Sequence, residues 1–220
     1  MTSQNRKIFF IGNSHCHKIY NGAINAQAFA NYELVNLARP GATIDFLNLL
    51  SFNLPEFSKN DFVIIQTLGN DMFVKDFYKE KRGTHFKFHL RSYQEVSDTV
   101  WKNVLKQFLE FLNLLTNPTV LVIDSPYRFV TSCCKLHKIP TRSKAYQDQR
   151  NKTVKNLILK EAKDNVFYLD HRRFLGVSRH KAHSTRFYKT LLSDNVHLPS
   201  DIYRKIAVRL SNTVDKIVNS

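Results

Sequence analysis

The sequence contains few of the residues that build disulfide scaffolds, membrane spans or flexible linkers. Its three cysteines are too few for a disulfide framework, and an odd number suits a reducing compartment such as the cytoplasm or the nucleus. No apolar run approaches the roughly 18 residues that cross a bilayer. The short apolar stretch near the start has no small-residue cleavage site behind it, so we expect no secretory signal peptide. There is no internal repeat, low-complexity tract or Gly/Ser linker, which predicts a single domain over residues 1–220.

Acidic residues are also scarce. The chain has 18 Asp+Glu against 33 Lys+Arg, which gives a formal net charge of +15. The excess is confined to two segments, residues 127–189 with 16 basic and 4 acidic side chains and residues 75–91 with 6 and 2. Such a segment is often only a solvated surface. It also suits an anionic partner, nucleic acid first, because contacts to phosphates release bound counterions.

Apolar runs and helical stripes alternate along the chain. Five runs predict strands, at residues 8–11, 32–37, 62–65, 120–123 and 166–169. Apolar residues with helical spacing follow from Val96 to Leu115 and from Ile202 to Ile217, the second helix having Pro199 in its first turn. This alternation predicts an α/β fold with a doubly wound parallel sheet between two layers of helices. The stretch from about 127 to 150 is the least regular, and we expect a long excursion there near the edge of the sheet.

Four short polar blocks lie at predicted ends of elements, where the chemistry of such a sheet collects. They are Gly12-Asn13-Ser14-His15, Arg39-Pro40-Gly41-Ala42, Gly69-Asn70-Asp71 and Asp194-Asn195-Val196-His197. Each fragment alone is a weak signal, because such short patterns occur by chance in chains of this size. Together they offer a hydroxyl, a backbone amide beside a glycine, a side-chain amide and a carboxylate–imidazole pair.

These groups are the parts that acyl transfer requires. Ser14 is a poor nucleophile until a base removes its proton, and His197 is the obvious candidate base. Asp194 can accept the other ring N–H, which fixes the tautomer and stabilises the imidazolium. For the tetrahedral oxyanion, we predict three donors: the backbone N–H groups of Ser14 and Gly41 and the side-chain amide of Asn70.

The four blocks, in this order and spacing, resemble those of the SGNH (GDSL-type) hydrolases over residues 8–218. The resemblance implies a three-layer α/β/α, flavodoxin-like fold with a five-stranded parallel sheet. It also implies a serine esterase or acetylhydrolase that cleaves small acyl esters without a metal or other cofactor. In that family Ser14 would be the nucleophile, Gly41 and Asn70 would lie in the oxyanion hole, and Asp194 and His197 would complete the triad. Asn13 departs from the family pattern, which usually has an Asp that is not a triad member.

Simpler interpretations of the same residues stay open at this point. Ser14 can be the cap of the first helix. Asn70 and Asp71 can form an ordinary turn. His197 can be a surface residue that caps the last helix.

Other clusters carry weaker signals. Cys133-Cys134-x-x-His137 and His15-x-His17 lack usual zinc spacing, and His180-x-x-His183 lies in a basic, polar stretch, so we predict no metal site. Cys16 is expected to be a small buried residue under the first helix. No phosphate-binding glycine motif occurs, so no nucleotide cofactor is indicated.

Aromatic residues are interleaved with the charge of both basic segments, a pattern that suits single-stranded nucleic acid. The residues predicted to bind it are Arg142, Lys144, Arg150 and Lys152. Two settings of the resembling family fit a basic chain: the esterase domain in the first open reading frame of LINE-type retrotransposons, and the RNA-binding, catalytically inert Oskar-like SGNH domain. Two hypotheses follow: an ester hydrolase with a basic rim, or an RNA-binding module on an SGNH-like scaffold with little or no hydrolase activity.

Overall fold

A computed structural model describes residues 6–82, 85–126, 142–175 and 196–219, with only the backbone described for residues 74–82, 85–94 and 142–144. Strands and helices alternate along most of this part of the chain. In chain order they are β1 (Lys7–Gly12), α1 (Ser14–Asn25), β2 (Glu33–Asn36), α2 (Ile44–Ser51), β3 (Phe62–Gln66), β4 (Phe73–Arg82), β5 (His85–Glu95), α3 (Asp98–Leu114), β6 (Thr119–Ile123), α4 (Arg142–Glu161), β7 (Val166–Leu169), a 3₁₀ turn (His171–Phe174) and α5 (Ser200–Val218).

Five parallel strands form one sheet in the order β2-β1-β3-β6-β7. The apolar runs of β1, β3 and β6 are buried on both faces, as expected for strands covered by helices above and below. The strand order reverses between β1 and β3, and sheets of this kind bind ligands beside this point, at the carboxyl ends of the strands. The predicted α/β class and the flavodoxin-like, five-stranded parallel sheet are confirmed.

Two apolar cores lie on opposite faces of this sheet. One packs α1 and α5 against it, and the other packs α2, α3 and α4. Gly22 brings α1 against the first turn of α5, because a Cβ at this position would lie 2.8 Å from the carbonyl carbon of Tyr203. The fold therefore has the three predicted layers, with α1 and α5 in close contact. Among the described residues, no helix has the length and apolar character needed to span a membrane.

The expectation of irregular structure from about 127 to 150 is wrong for residues 142–150, which form the first half of α4. The buried positions of this half are polar, namely Gln147 and Arg150, followed by Asn151. An apolar helical period is visible only from Val154 onward, which is why the sequence pattern does not predict the helix start. Residues 127–141 lie outside the described part of the chain.

The antiparallel hairpin of β4 and β5 interrupts the alternation of strands and helices. Its register runs from Phe73 opposite Glu95 to Arg82 opposite His85, with a shift at Asp76. Within the described ranges, neither strand joins the main sheet. The described residues of the basic segment 75–91 lie in this hairpin, which begins two residues after Asp71 and so closely follows the Gly69-Asn70-Asp71 block in the sequence.

Candidate active site

The first block ends β1 and begins α1. Gly12 has φ +144°, and a Cβ there would lie 2.0 Å from the carbonyl oxygen of Gln66, so only glycine fits between β1 and β3. Asn13 caps α1, because its side-chain oxygen accepts the N–H of His15 at 3.0 Å. Ser14 is therefore the first residue inside the helix. Its interpretation as the helix cap is wrong, and its hydroxyl has a different partner.

That partner is His197. The Oγ of Ser14 and Nε2 of His197 are 2.9 Å apart, and both side chains are half-buried. His197 lies in the loop before α5, whose N-terminal cap is Pro199 and whose first helical residue is Ser200. The structure thus joins a hydroxyl and an imidazole separated by 183 residues, in the geometry that a general base needs toward its nucleophile.

The second block is tied to the first by its backbone. Arg39 donates its N–H to the carbonyl of Gly12 at 2.8 Å, which brings the turn that contains Gly41 beside the end of β1. Gly41 has φ +81°, a left-handed conformation that favours glycine, and nothing lies within 4 Å of the position a Cβ would take. The backbone shape, and not crowding, is therefore what requires glycine at this position.

Two hydrogen bonds connect the third block to the second. The Asn70 side-chain amide donates to the carbonyl of Ala42 at 2.8 Å, and the Ile44 N–H donates to Oδ1 of Asp71 at 2.8 Å. The Asp71 N–H also donates to the carbonyl of Leu68 at 3.2 Å, so the interpretation of this block as a turn is correct. The turn holds the buried Asn70 amide against the carbonyl of Ala42, which is the residue after Gly41. The role of Asp71 in this link was not evident from the sequence.

Asp194, the predicted carboxylate partner of His197, lies outside the described residues. The clusters Cys133-Cys134-x-x-His137 and His180-x-x-His183 lie there too. His15 and His17 contact different residues: Nδ1 of His17 is 2.9 Å from the Asn36 amide, whereas Nδ1 of His15 is 2.6 Å from the Tyr203 hydroxyl.

The thiol of Cys16 does not take part in the site. Cys16 is fully buried, and burial raises the pKa of its thiol to about 12, so thiolate is scarce at neutral pH. The prediction of a small buried residue under α1 is confirmed.

A second polar cluster lies at the carboxyl ends of β6 and β7. The carboxylate of Asp124 accepts the backbone N–H of His171 at 2.6 Å, contacts the ring Nδ1 of His171 at 2.7 Å and accepts the Tyr168 hydroxyl at 2.7 Å. Burial, with the nearby Asp124 carboxylate, raises the pKa of Tyr168.

Asp170 completes this cluster and pairs with Arg172 at 2.7 Å. Burial alone would raise the pKa of Asp170, but the hydrogen bonds from Arg172 outweigh it and lower that pKa. Asp124, Asp170 and His171 have ligand atoms within 4.8 Å of one another. A cation would have to displace these protein donors, so the cluster is better suited to joining β6 and β7 than to binding a metal.

Four residues were predicted to bind nucleic acid, and for Arg150 the structure contradicts that prediction. Its guanidinium is buried, pairs with Asp98 at 2.8 Å and donates to the carbonyl of Val96 at 2.9 Å. It also lies over the rings of Trp101 and Tyr146, at 5.4 and 4.6 Å. These contacts hold the base of the hairpin against α4, so the guanidinium is not presented to a phosphate.

The other three predicted residues lie in α4 as well. Lys152 is exposed. Arg142 and Lys144 occupy the first turn of the helix, where only the backbone is described.

The fold is shared with several solved esterase structures. A candidate acylhydrolase from Bacteroides fragilis is 14% identical over 99% of this chain and 90% of that one, with a TM-score of 0.60. A carbohydrate acetylesterase family member from Sinorhizobium meliloti is 10% identical over 98% and 100%, with a TM-score of 0.59. A GDSL-like lipase from Bacteroides thetaiotaomicron is 12% identical over 99% and 91%, with a TM-score of 0.57. No protein-family model and no curated protein matches the sequence. At these identities, the likeness shows a common fold.

Proposed function

We propose that this chain is a serine ester hydrolase of the SGNH (GDSL) type, acting on small acyl esters. The observation that carries the proposal is the 2.9 Å contact between Ser14 Oγ and His197 Nε2 at the start of α1. The fold shared with structures described as esterases and lipases supports it.

In the proposed reaction, the Ser14 oxygen attacks the acyl carbon while His197 takes the hydroxyl proton. The tetrahedral intermediate collapses when the carbon–oxygen bond to the alcohol breaks, and His197 returns the proton to the departing alkoxide. Water then attacks the acyl-serine, again giving a proton to His197. The second tetrahedral intermediate collapses when the bond between the acyl carbon and the Ser14 oxygen breaks. His197 returns its proton to that oxygen, which restores the hydroxyl as the carboxylic acid leaves.

The oxyanion of both intermediates would meet three donors. Ser14 is the first residue of α1, and the first N–H groups of a helix have no partner within it and favour negative charge. The Gly41 N–H lies in a turn with left-handed backbone, and the Asn70 amide is oriented by the carbonyl of Ala42. We propose that Asp194 accepts the second ring N–H of His197, as its position three residues earlier allows.

Hydrolysis of p-nitrophenyl acetate tests this proposal. We expect the wild type to turn the ester over, and Ser14→Ala to lose that activity while it unfolds at nearly the same temperature. Ser51→Ala is a matched control, because Ser51 is half-buried at the end of α2 and donates to the carbonyl of Asn48. Wild-type protein as inert as Ser14→Ala across short acyl chains would exclude the proposed activity.

A second candidate function is nucleic-acid binding, either beside hydrolysis or instead of it. The described residues of the basic segment 75–91 lie in the hairpin, which begins two residues after Asp71 in the sequence. Lys152 is exposed on α4. Of the two settings that the sequence suggests, the Ser14–His197 contact favours the LINE-type esterase domain over an inert Oskar-like one. Both settings fit the reducing compartment expected from the cysteines.

RNA binding at increasing salt tests this second candidate. Phosphate contacts predict affinity that falls steeply with salt and is weakened by Lys152→Glu or Arg142→Glu. Asp164→Asn, a surface change that removes a negative charge, serves as the control. No binding of single-stranded RNA at low salt would exclude this candidate.

A further inference from the structure

Two buried side chains outside the proposed reacting groups contact the segment that carries His197. His15 follows Ser14 in α1, and Tyr203 lies in the first turn of α5. Nδ1 of His15 and the hydroxyl oxygen of Tyr203 are 2.6 Å apart. Both side chains are nearly inaccessible, with 0% and 2% exposure. A contact this short between buried polar groups is costly to break, because neither group gains water in exchange.

His15 and Tyr203 make two separate contacts with the segment that carries His197. The ring of His15 lies beside that of His197, with centroids 5.1 Å apart and planes tilted by 43°. The Tyr203 hydroxyl accepts the backbone N–H of Leu198, the residue after His197, at 3.3 Å. One side chain therefore restricts the imidazole, and the other restricts the backbone of the loop that bears it.

Helix α1 holds His15 and Tyr203 in contact with each other. Gly22 allows the backbone of α1 to lie against Tyr203, where any larger residue would collide. His15 belongs to the same helix as Ser14 and sits one residue from it. Ser14 and His197 are thus connected through a short chain of contacts: His15 to Tyr203, and Tyr203 to Leu198.

We propose that His15 and Tyr203 are positioning residues that hold the His197 imidazole within hydrogen-bonding distance of Ser14. This inference rests on the proposed esterase function. Proton transfer requires close alignment of the two heavy atoms, and a displacement of about 1 Å can cost roughly 100-fold in rate. The pair restrains His197 from the α1 side, independently of any carboxylate bound to the other ring nitrogen.

The test compares Tyr203→Phe, His15→Leu and His15→Asn. The first removes only the hydroxyl, and we expect kcat on p-nitrophenyl acetate to fall about 10- to 100-fold with KM nearly unchanged. His15→Leu should show the same pattern. Asn places a donor or acceptor near the position of Nδ1, so His15→Asn should recover much of the lost kcat, which a purely space-filling role of His15 does not predict. Tyr32→Phe is the matched control, because Tyr32 packs against the same core but only at its edge.

The outcomes separate this inference from the proposed function. Wild-type protein that neither turns over the ester nor reacts with a fluorophosphonate probe contradicts both. Wild type that reacts, with Tyr203→Phe reacting at the same rate, overturns the positioning role alone. If Tyr203→Phe does not fold, the histidine pair decides: equal kcat for His15→Leu and His15→Asn overturns the role, and higher kcat for His15→Asn supports it.

Discussion

The side-chain oxygen of Asn13 accepts the backbone N–H of His15, so Asn13 and not Ser14 caps α1. Because Asn13 caps the helix and Ser14 does not, replacing the two residues should have different effects on the free energy of unfolding. Asn13→Ala should lower the free energy of unfolding by about 0.5–2 kcal/mol, because the helix loses its cap. Ser14→Ala should change it little. Urea unfolding of both variants checks this, and equal losses of stability would contradict the assignment of the cap.

Replacing Asn70 tests its proposed role in the oxyanion hole. If its amide stabilises the oxyanion, Asn70→Ala should lower kcat about 10²- to 10³-fold. Asn48→Ala is a suitable control, because Asn48 also donates its amide across elements, to Gln107 at 2.6 Å, but lies away from the four blocks. Steady-state kinetics on a short acyl ester is the measurement. A similar small loss in both variants would argue against an oxyanion contact.

Arg150 is expected to contribute to stability, in contrast to its basic neighbour Lys152. Arg150→Ala removes a charge-assisted hydrogen bond to the Val96 carbonyl and the packing on Trp101, which together should cost about 1–3 kcal/mol. Lys152→Ala, at an exposed position, should change stability by no more than about 0.5 kcal/mol. Thermal unfolding of the two variants compares them. Equal stability would mean that the hairpin base does not need the Arg150 contacts.

Asp170 should make stability depend on pH in the acidic range. The hydrogen bonds from Arg172 hold the pKa of its carboxyl in the folded protein below its usual range, so its stabilising effect is present above that range and is lost as pH falls through the lowered pKa. Asp170 also caps the 3₁₀ turn by accepting the backbone N–H of Arg172 at 2.9 Å. Asp170→Asn keeps a side-chain oxygen for this bond but removes the charge. The wild type should be more stable than this variant at pH 7, by about 1 kcal/mol or less because the pair is partly exposed.

The difference should shrink as the pH is lowered through the acidic range. Urea unfolding at several pH values from 7 to 2.5 measures it, with the exposed Asp164→Asn as the control. A difference that stays constant, or grows, toward low pH would contradict the assigned direction of the pKa shift.

The sequence was most informative where burial is uniform. Continuous apolar runs mark β1, β3 and β6 because both faces of these strands are covered, and the helical stripe of α5 is similarly clear. The hairpin of β4 and β5 was not predicted, because charged and aromatic residues are mixed along both strands. The start of α4 was missed because polar side chains such as Gln147 and Arg150 occupy its buried face.

The candidate site was predicted as a set of motifs but not as a network. The four blocks identify Ser14 and His197 because their residue types and order carry the signal. No spacing rule connects His15 to Tyr203, since 188 residues separate them and each pattern is ordinary alone. Only the packing of α1 against α5 brings the two together.

Ser14 is proposed to be an activated nucleophile, and covalent labelling by a fluorophosphonate probe tests this most directly. We predict that mass mapping of the labelled wild type finds the modification on Ser14, and that His197→Ala and Ser14→Ala abolish it without unfolding the protein. Folded wild-type protein that stays unlabelled, or that is labelled at another residue at the same rate in Ser14→Ala, would contradict the account.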